Sequence, residues 1–189
     1  MRLGILGGTF DPPHVGHLLA AVDAFEATGL DRLIWVPAGL NPLKATVPPS
    51  DPAHRLAMVG LAVRGDARFA VDPVEIERAG LSYTVDTLRT LAGRWPGAEL
   101  VLLVGADTLA SFARWREPDE IRRLATLAIL TRAGDEPAAA LPAGALALET
   151  RRVDVSATEV RARVRAGRSI RGFVPDAVAE YIAAHRLYS

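Results

Sequence analysis

Apolar residues fall in short consecutive runs along this chain, at Leu3 to Leu6, Leu33 to Val36, Phe69 to Val71, Leu100 to Val104 and Leu127 to Leu130. Helical spacings of three and four separate them. A run that is apolar at successive positions suits a strand covered on both faces, because neighbouring side chains point to opposite sides of a sheet. The alternation of strand and helix patterns predicts an α/β fold, with a central, mostly parallel sheet and helices on both faces. At 189 residues the chain fits one domain spanning 1–189, able to bury about 70% of its unfolded surface.

Helix boundaries are marked by their own chemistry. Asp51-Pro52 supplies a cap and a first-turn proline for a helix whose Leu56, Val59 and Val63 share one face. Pro175 opens the last helix, with Val178 and Ile182 inward, and Ser156 to Glu159 reads as a capping box. Ala133 to Gly144, with three consecutive alanines and two prolines, reads as a loop.

The first apolar run leads into Gly7-Gly8-Thr9-Phe10-Asp11-Pro12-Pro13-His14-Val15-Gly16-His17. Glycines let the backbone turn sharply and approach a ligand, and the prolines fix the chain where a helix of roughly Val15 to Ala27 begins. A strand, a glycine turn and a helix form a Rossmann-like opening. The helix start brings a positive dipole end and free amides to one spot, which suits an anion. His14 and His17, three residues apart, share that mouth.

Together these residues resemble the signature of the HxGH nucleotidyltransferase superfamily, and Gly-Gly-Thr-Phe-Asp-Pro most resembles its nicotinate-nucleotide adenylyltransferase branch. The resemblance runs over essentially the whole chain and implies a nucleotidyltransferase fold. It implies transfer of the adenylyl group of ATP to nicotinate mononucleotide, giving nicotinate adenine dinucleotide and pyrophosphate in NAD biosynthesis. His14, His17, Lys44 and Arg161 are then the catalytic residues, and Gly8, Thr9 and Phe10 bind ATP.

Further matches extend this reading. Val155-Ser156-Ala157-Thr158-Glu159-Val160-Arg161 is similar to the superfamily's Ser-Ser-Thr-x-Ile-Arg motif, with Ala157 replacing its middle serine. Two hydroxyls at a helix start and an arginine one turn inside can receive phosphate oxygens, so Ser156 and Thr158 join the ATP set. Lys44, the only lysine in the sequence, falls where the family has Pro-His-Lys or Pro-His-Arg, although Leu43 stands in the histidine's place. As a point charge it suits the β and γ phosphates; the alternative is a solvated loop cation. Gly105-Ala106-Asp107 follows the fourth run where relatives bind adenosine, implying Gly105 and Asp107 for ATP, with a simple helix cap as the other reading of Asp107.

For the acceptor, Ser82-Tyr83-Thr84-Val85-Asp86-Thr87 resembles the nicotinate branch and implies Tyr83 and Thr84; Ser82 or Thr84 as an ordinary N-cap explains the same residues. The resemblance also implies Trp115 stacking on the pyridine ring, with core packing as its other reading, and Arg132 on the acceptor phosphate, a role that a guanidinium fork fits. Most of the other twenty arginines are expected at the surface.

Composition narrows the alternatives. Lysine plus arginine and aspartate plus glutamate both total 22, so no overall field draws the chain to nucleic acid or an anionic membrane, and an anion site must be local. Cysteine is absent, which excludes thiolate chemistry. No signal segment or span-length apolar run is present, so a cytoplasmic protein is expected. No metal-binding cluster appears among the protein's own residues; the Mg2+ that the resemblance implies would be held mainly by ATP phosphates. A dinucleotide oxidoreductase lacks its GxGxxG spacing here. Another transferase of the superfamily and a non-catalytic nucleotide binder remain as rivals.

Overall fold

The computed structural model describes residues 1–40, 49–78, 80–132 and 141–189. Six strands are seen: β1 (Arg2–Gly8), β2 (Arg32–Pro37), β3 (Phe69–Val71), β4 (Glu99–Gly105), β5 (Ala125–Arg132) and β6 (Leu146–Thr150). They form one sheet in the order β3-β2-β1-β4-β5-β6, and every pairing is parallel. The five predicted runs are the first five strands. β6 went unread because Leu146-Ala147-Leu148-Glu149-Thr150 lies at a sheet edge and buries only Leu148 and Thr150, too short an alternation to stand out.

The strands sort their side chains by parity. Leu3 and Ile5, Ile34 and Val36, Leu100, Leu102 and Val104, and Leu127 and Ile129 enter one core. Leu6, Leu33, Trp35, Val101 and Leu103 enter the other. Helices α1 (Val15–Thr28) and α2 (Pro52–Ala62) cover the second face, α1 with Ala21 and Ala24 and α2 with Val59. After α3 (Val74–Glu77), α4 (Thr84–Arg94) lays Val85, Leu88 and Leu91 on the first face. The short α5 (Ala106–Leu109) follows β4, and α6 (Pro118–Leu124) adds Ile121 to that face. α1 ends at Gly29, whose φ of 60° is the left-handed cap that glycine adopts most readily.

A third cluster lies off the sheet. Met58 of α2 meets Val160 of α7 (Ala157–Arg165), Ile170, Val174, and Val178 and Ile182 of α8 (Asp176–Ala184). Val178 and Ile182 thus face inward as their spacing predicts.

The stripe expected on α2 is only partly observed. Asp51 caps it, accepting the Ala53 N–H at 2.8 Å, and Val59 and Val63 are buried. The remaining inward positions belong to Met58 and Arg55, whereas Leu56 is half-buried.

Strand order reverses between β1 and β4: α1, which follows β1, and α5 and α6, which follow β4, lie on opposite faces. The carboxyl ends of these two strands therefore border a crevice, where ligands bind in open α/β sheets.

Candidate active site

The chain leaves β1 into a turn under strain. Phe10 has φ 49°, uncommon for a residue with a side chain, and its ring is buried against Trp35 and edge-on to His17. With its ring packed into the core, Phe10 leaves only its backbone to meet a ligand. A Cβ on Gly8 would lie 2.8 Å from that ring, so Gly8 must lack one.

His14 is the N-cap of α1 and His17 its third residue. The His14 backbone N–H donates to His17 Nδ1 at 3.2 Å, and the two rings stand 3.7 Å apart. Because Nδ1 accepts, the proton of a neutral His17 resides on Nε2. Desolvation, reinforced by His14, lowers the His17 pKa from 6.5 to about 3. The ring is thus a neutral donor at physiological pH. Gly16 explains the motif's glycine, since a Cβ there would sit 3.1 Å from the His14 ring.

The helix end is not wholly open to an anion. The Val15 N–H donates to Phe173 O at 2.9 Å, because the segment before α8 packs over it.

Beneath the turn lies a residue that the sequence analysis did not single out. Arg55 is fully buried and donates from Nη1 to Thr9 O at 2.9 Å and Ala38 O at 2.6 Å, and from Nε to Ser50 O at 3.0 Å. It sews the ends of β1 and β2 to the entry of α2. Burial lowers its pKa, and the Asp11 carboxylate is the largest opposing influence. A charged residue at i−3 and i−4 from Met58 and Val59 was the signal that could have revealed it.

Asp11 is buried as well. Its Oδ1 accepts the Tyr188 hydroxyl at 2.6 Å, its Oδ2 accepts the Ser50 N–H at 3.1 Å, and its carbonyl accepts Arg161 Nη1 at 2.7 Å. The last contact brings the two distant motifs together. On α7, Ser156 is the N-cap, accepting the Glu159 N–H at 3.1 Å, which leaves its own proton to donate. Thr158 Oγ1 accepts from Arg161 Nη2 at 3.3 Å. Both hydroxyl residues are exposed.

Across the crevice, Gly105 is the N-cap of α5 and Asp107, exposed in its first turn, is not the cap. The N-cap of α4 is Tyr83, with no side-chain hydrogen bond, so neither Ser82 nor Thr84 plays that part. The amides that open α4 at Thr84 thus lack a side-chain cap. Arg116 lies over the Tyr83 ring at 4.8 Å. Trp115 is half-buried, with its Nε1–H donated to Ser111 Oγ at 3.1 Å and its ring tilted against buried Phe112.

Behind Ser82, Glu75 accepts the Thr87 hydroxyl at 2.7 Å, and burial raises its carboxyl pKa. Gly39 approaches so closely that a Cβ would meet Glu75 O and Ser82 Oγ, each at 2.6 Å. Neither Glu75 nor Gly39 was singled out from the sequence, as their relation depends on β2 meeting the segment before α4. Arg132 ends β5 opposite Thr150 in β6. Its side chain, and all of Lys44, lie outside the described residues. Among the described residues no three His, Cys, Asp or Glu side chains converge to hold a metal ion, and no helix is long and apolar enough to cross a membrane.

The chain is similar to known proteins along its length. The cytidylyltransferase-like family model matches residues 5–163. A protein of Gemmatimonas aurantiaca named "probable nicotinate-nucleotide adenylyltransferase" is 53% identical, the match covering 100% of this chain and 92% of that one. One of the same name from Thermus thermophilus is 42% identical over 100% of both. Among solved structures, Plasmodium falciparum nicotinic acid mononucleotide adenylyltransferase complexed with NaAD superposes with a TM-score of 0.81 at 16% identity, covering 99% of this chain and 97% of that one. The likeness extends to the fold.

Proposed function

From the premise that this chain belongs to the cytidylyltransferase-like family and, within it, to the nicotinate-nucleotide adenylyltransferases, we propose the following reading of its site. The protein transfers the adenylyl group of ATP to nicotinate mononucleotide, releasing pyrophosphate. The observation that carries the reading is the convergence of the stacked His14 and His17 with Arg161, which reaches the carbonyl of Asp11 from the second motif.

The acceptor phosphate attacks the α-phosphorus of ATP in line. A phosphate monoester has its second pKa at about 6, so its dianion needs no strong base, and no protein nucleophile takes part. Catalysis is positioning and charge stabilisation. His17 donates from Nε2 to the phosphate on which charge develops, and Arg161 and Lys44 neutralise the departing pyrophosphate. Gly8, Thr9 and the backbone of Phe10 line the triphosphate with Ser156 and Thr158. Gly105 and Asp107 take the adenosine. The amides of α4 at Tyr83 and Thr84 receive the nicotinate carboxylate, Trp115 stacks on its ring, and Arg132 holds its phosphate.

Mg2+ would arrive on ATP, held mainly by its phosphates, and would supply charge screening to the triphosphate, while Asp11 stays committed to Tyr188 and Ser50.

The test is pyrophosphate release with ATP and Mg2+, comparing nicotinate mononucleotide, its amide counterpart, phosphopantetheine and flavin mononucleotide. Strong release with nicotinate mononucleotide is expected. Release with only a different acceptor would overturn the roles of Thr84, Trp115 and Arg132, and silence with all four while ATP binds would leave a nucleotide sensor.

A further inference from the structure

Tyr188 stands far along the chain from the motifs that bear the chemistry, yet its hydroxyl reaches into the turn that unites them. It donates to Asp11 Oδ1 at 2.6 Å, among the shortest hydrogen bonds at the site. Arg186, with φ 50°, closes α8, the Leu187 N–H donating to Ile182 O at 3.0 Å, and Tyr188 itself has φ 66°, uncommon for a residue with a side chain. Leu187 and Tyr188 also pack against the third cluster, which carries α7.

Asp11 distributes that constraint. Its second carboxylate oxygen holds the Ser50 N–H, and Ser50 O in turn accepts from Arg55, which grips Thr9 O and Ala38 O. Its carbonyl holds Arg161. A buried carboxylate must have its oxygens satisfied, so losing one of these donors would rotate the side chain and shift the turn.

We propose that Tyr188 is a positioning residue for adenylyl transfer: by fixing the Asp11 carboxylate it sets the turn whose carbonyl aims Arg161 at the leaving phosphates. The inference rests on the functional reading above. Burial and the adjacent carboxylate push the Tyr188 hydroxyl far above its ordinary pKa, so it remains a donor at every working pH. The effect falls on kcat, because charge on the leaving group grows only in the transition state and a slightly misaimed guanidinium still binds ATP.

The test is Tyr188→Phe in the full chain, which removes one oxygen and keeps the packed ring. Steady-state constants for ATP and nicotinate mononucleotide are measured beside wild type, well below both melting temperatures. The expected result is a kcat lowered about tenfold or more, the scale of one hydrogen bond to a charged group, with both KM values within about twofold. Amide exchange at Ser50 should also quicken, a readout independent of turnover. An unchanged kcat, or a lower melting temperature alone, overturns the proposal and leaves Tyr188 a packing residue. A wild type that is silent with both substrates removes the functional reading and this inference together; a working wild type matched by the variant removes the inference alone.

Discussion

The His14 backbone N–H donates to His17 Nδ1 at 3.2 Å, and this bond dictates which nitrogen of the neutral His17 ring carries the proton. A neutral imidazole has one donor and one acceptor. With Nδ1 occupied as acceptor, Nε2–H is free for phosphate, and the helix start itself fixes the tautomer.

His17→Asn should therefore lower kcat by about two to three orders of magnitude, the scale of removing a donor aimed at developing charge. The ATP dissociation constant should stay within about threefold. Titration calorimetry beside single-turnover kinetics separates the two, and a turnover number near wild type would remove His17 from the chemistry.

The same ring links stability to pH. An unfolded His17 takes a proton as pH falls through 6.5, whereas the folded ring resists until about 3. Acid thus favours the unfolded chain across that window, and above 6.5 this ring contributes no pH dependence. Its share of the loss should reach about 2 kcal/mol by pH 5 in ligand-free protein. Urea denaturation at pH 7 and pH 5 checks this, and His17→Asn should have a shallower dependence. Parallel slopes for the two proteins would contradict the low value.

At Gly39 a methyl group would collide with a backbone carbonyl as well as a side chain, and the carbonyl of Glu75 cannot swing aside. Gly39→Ala should push the segment at Ser82 away from β2 and disturb the start of α4. The KM for nicotinate mononucleotide should rise about tenfold, while that for ATP changes little. A variant weakened only for ATP would show that the Gly39 contact does not govern the acceptor side.

Arg55→Leu would retain bulk yet leave the carbonyls of Thr9, Ala38 and Ser50 without their buried donor. A loss of about 3 kcal/mol in unfolding free energy is expected. The urea midpoint measures it. A midpoint matching wild type would mean that water replaces the guanidinium at no cost.

Much of this architecture was legible in advance, for identifiable reasons. Strands β1, β2, β4 and β5 are apolar at consecutive positions because both faces are covered, and that pattern needs no knowledge of partners. The Gly8 to His17 motif is compact, so its helix start and paired histidines could be read locally. Glu75 and Tyr188 could not, because what makes them informative is burial against segments distant in sequence, and Arg55 left only its spacing from Met58 and Val59. An arginine on a helix normally lies in water; here it points inward to reach three carbonyls that only the fold assembles. Phe10 shows the same limit: the motif marks its place, but only the folded turn reveals that its ring lies in the core.

The third cluster gives the site an uneven resistance to heat. Ser156, Thr158 and Arg161 are carried by a helix whose one buried residue, Val160, docks against Met58 and the segment around α8, off both sheet faces. A cluster packed off the sheet can open locally without the strands parting. On warming, catalysis should fail at a lower temperature than the sheet melts, and brief excursions into that interval should be forgiven on cooling, since no strand has to find its neighbour again.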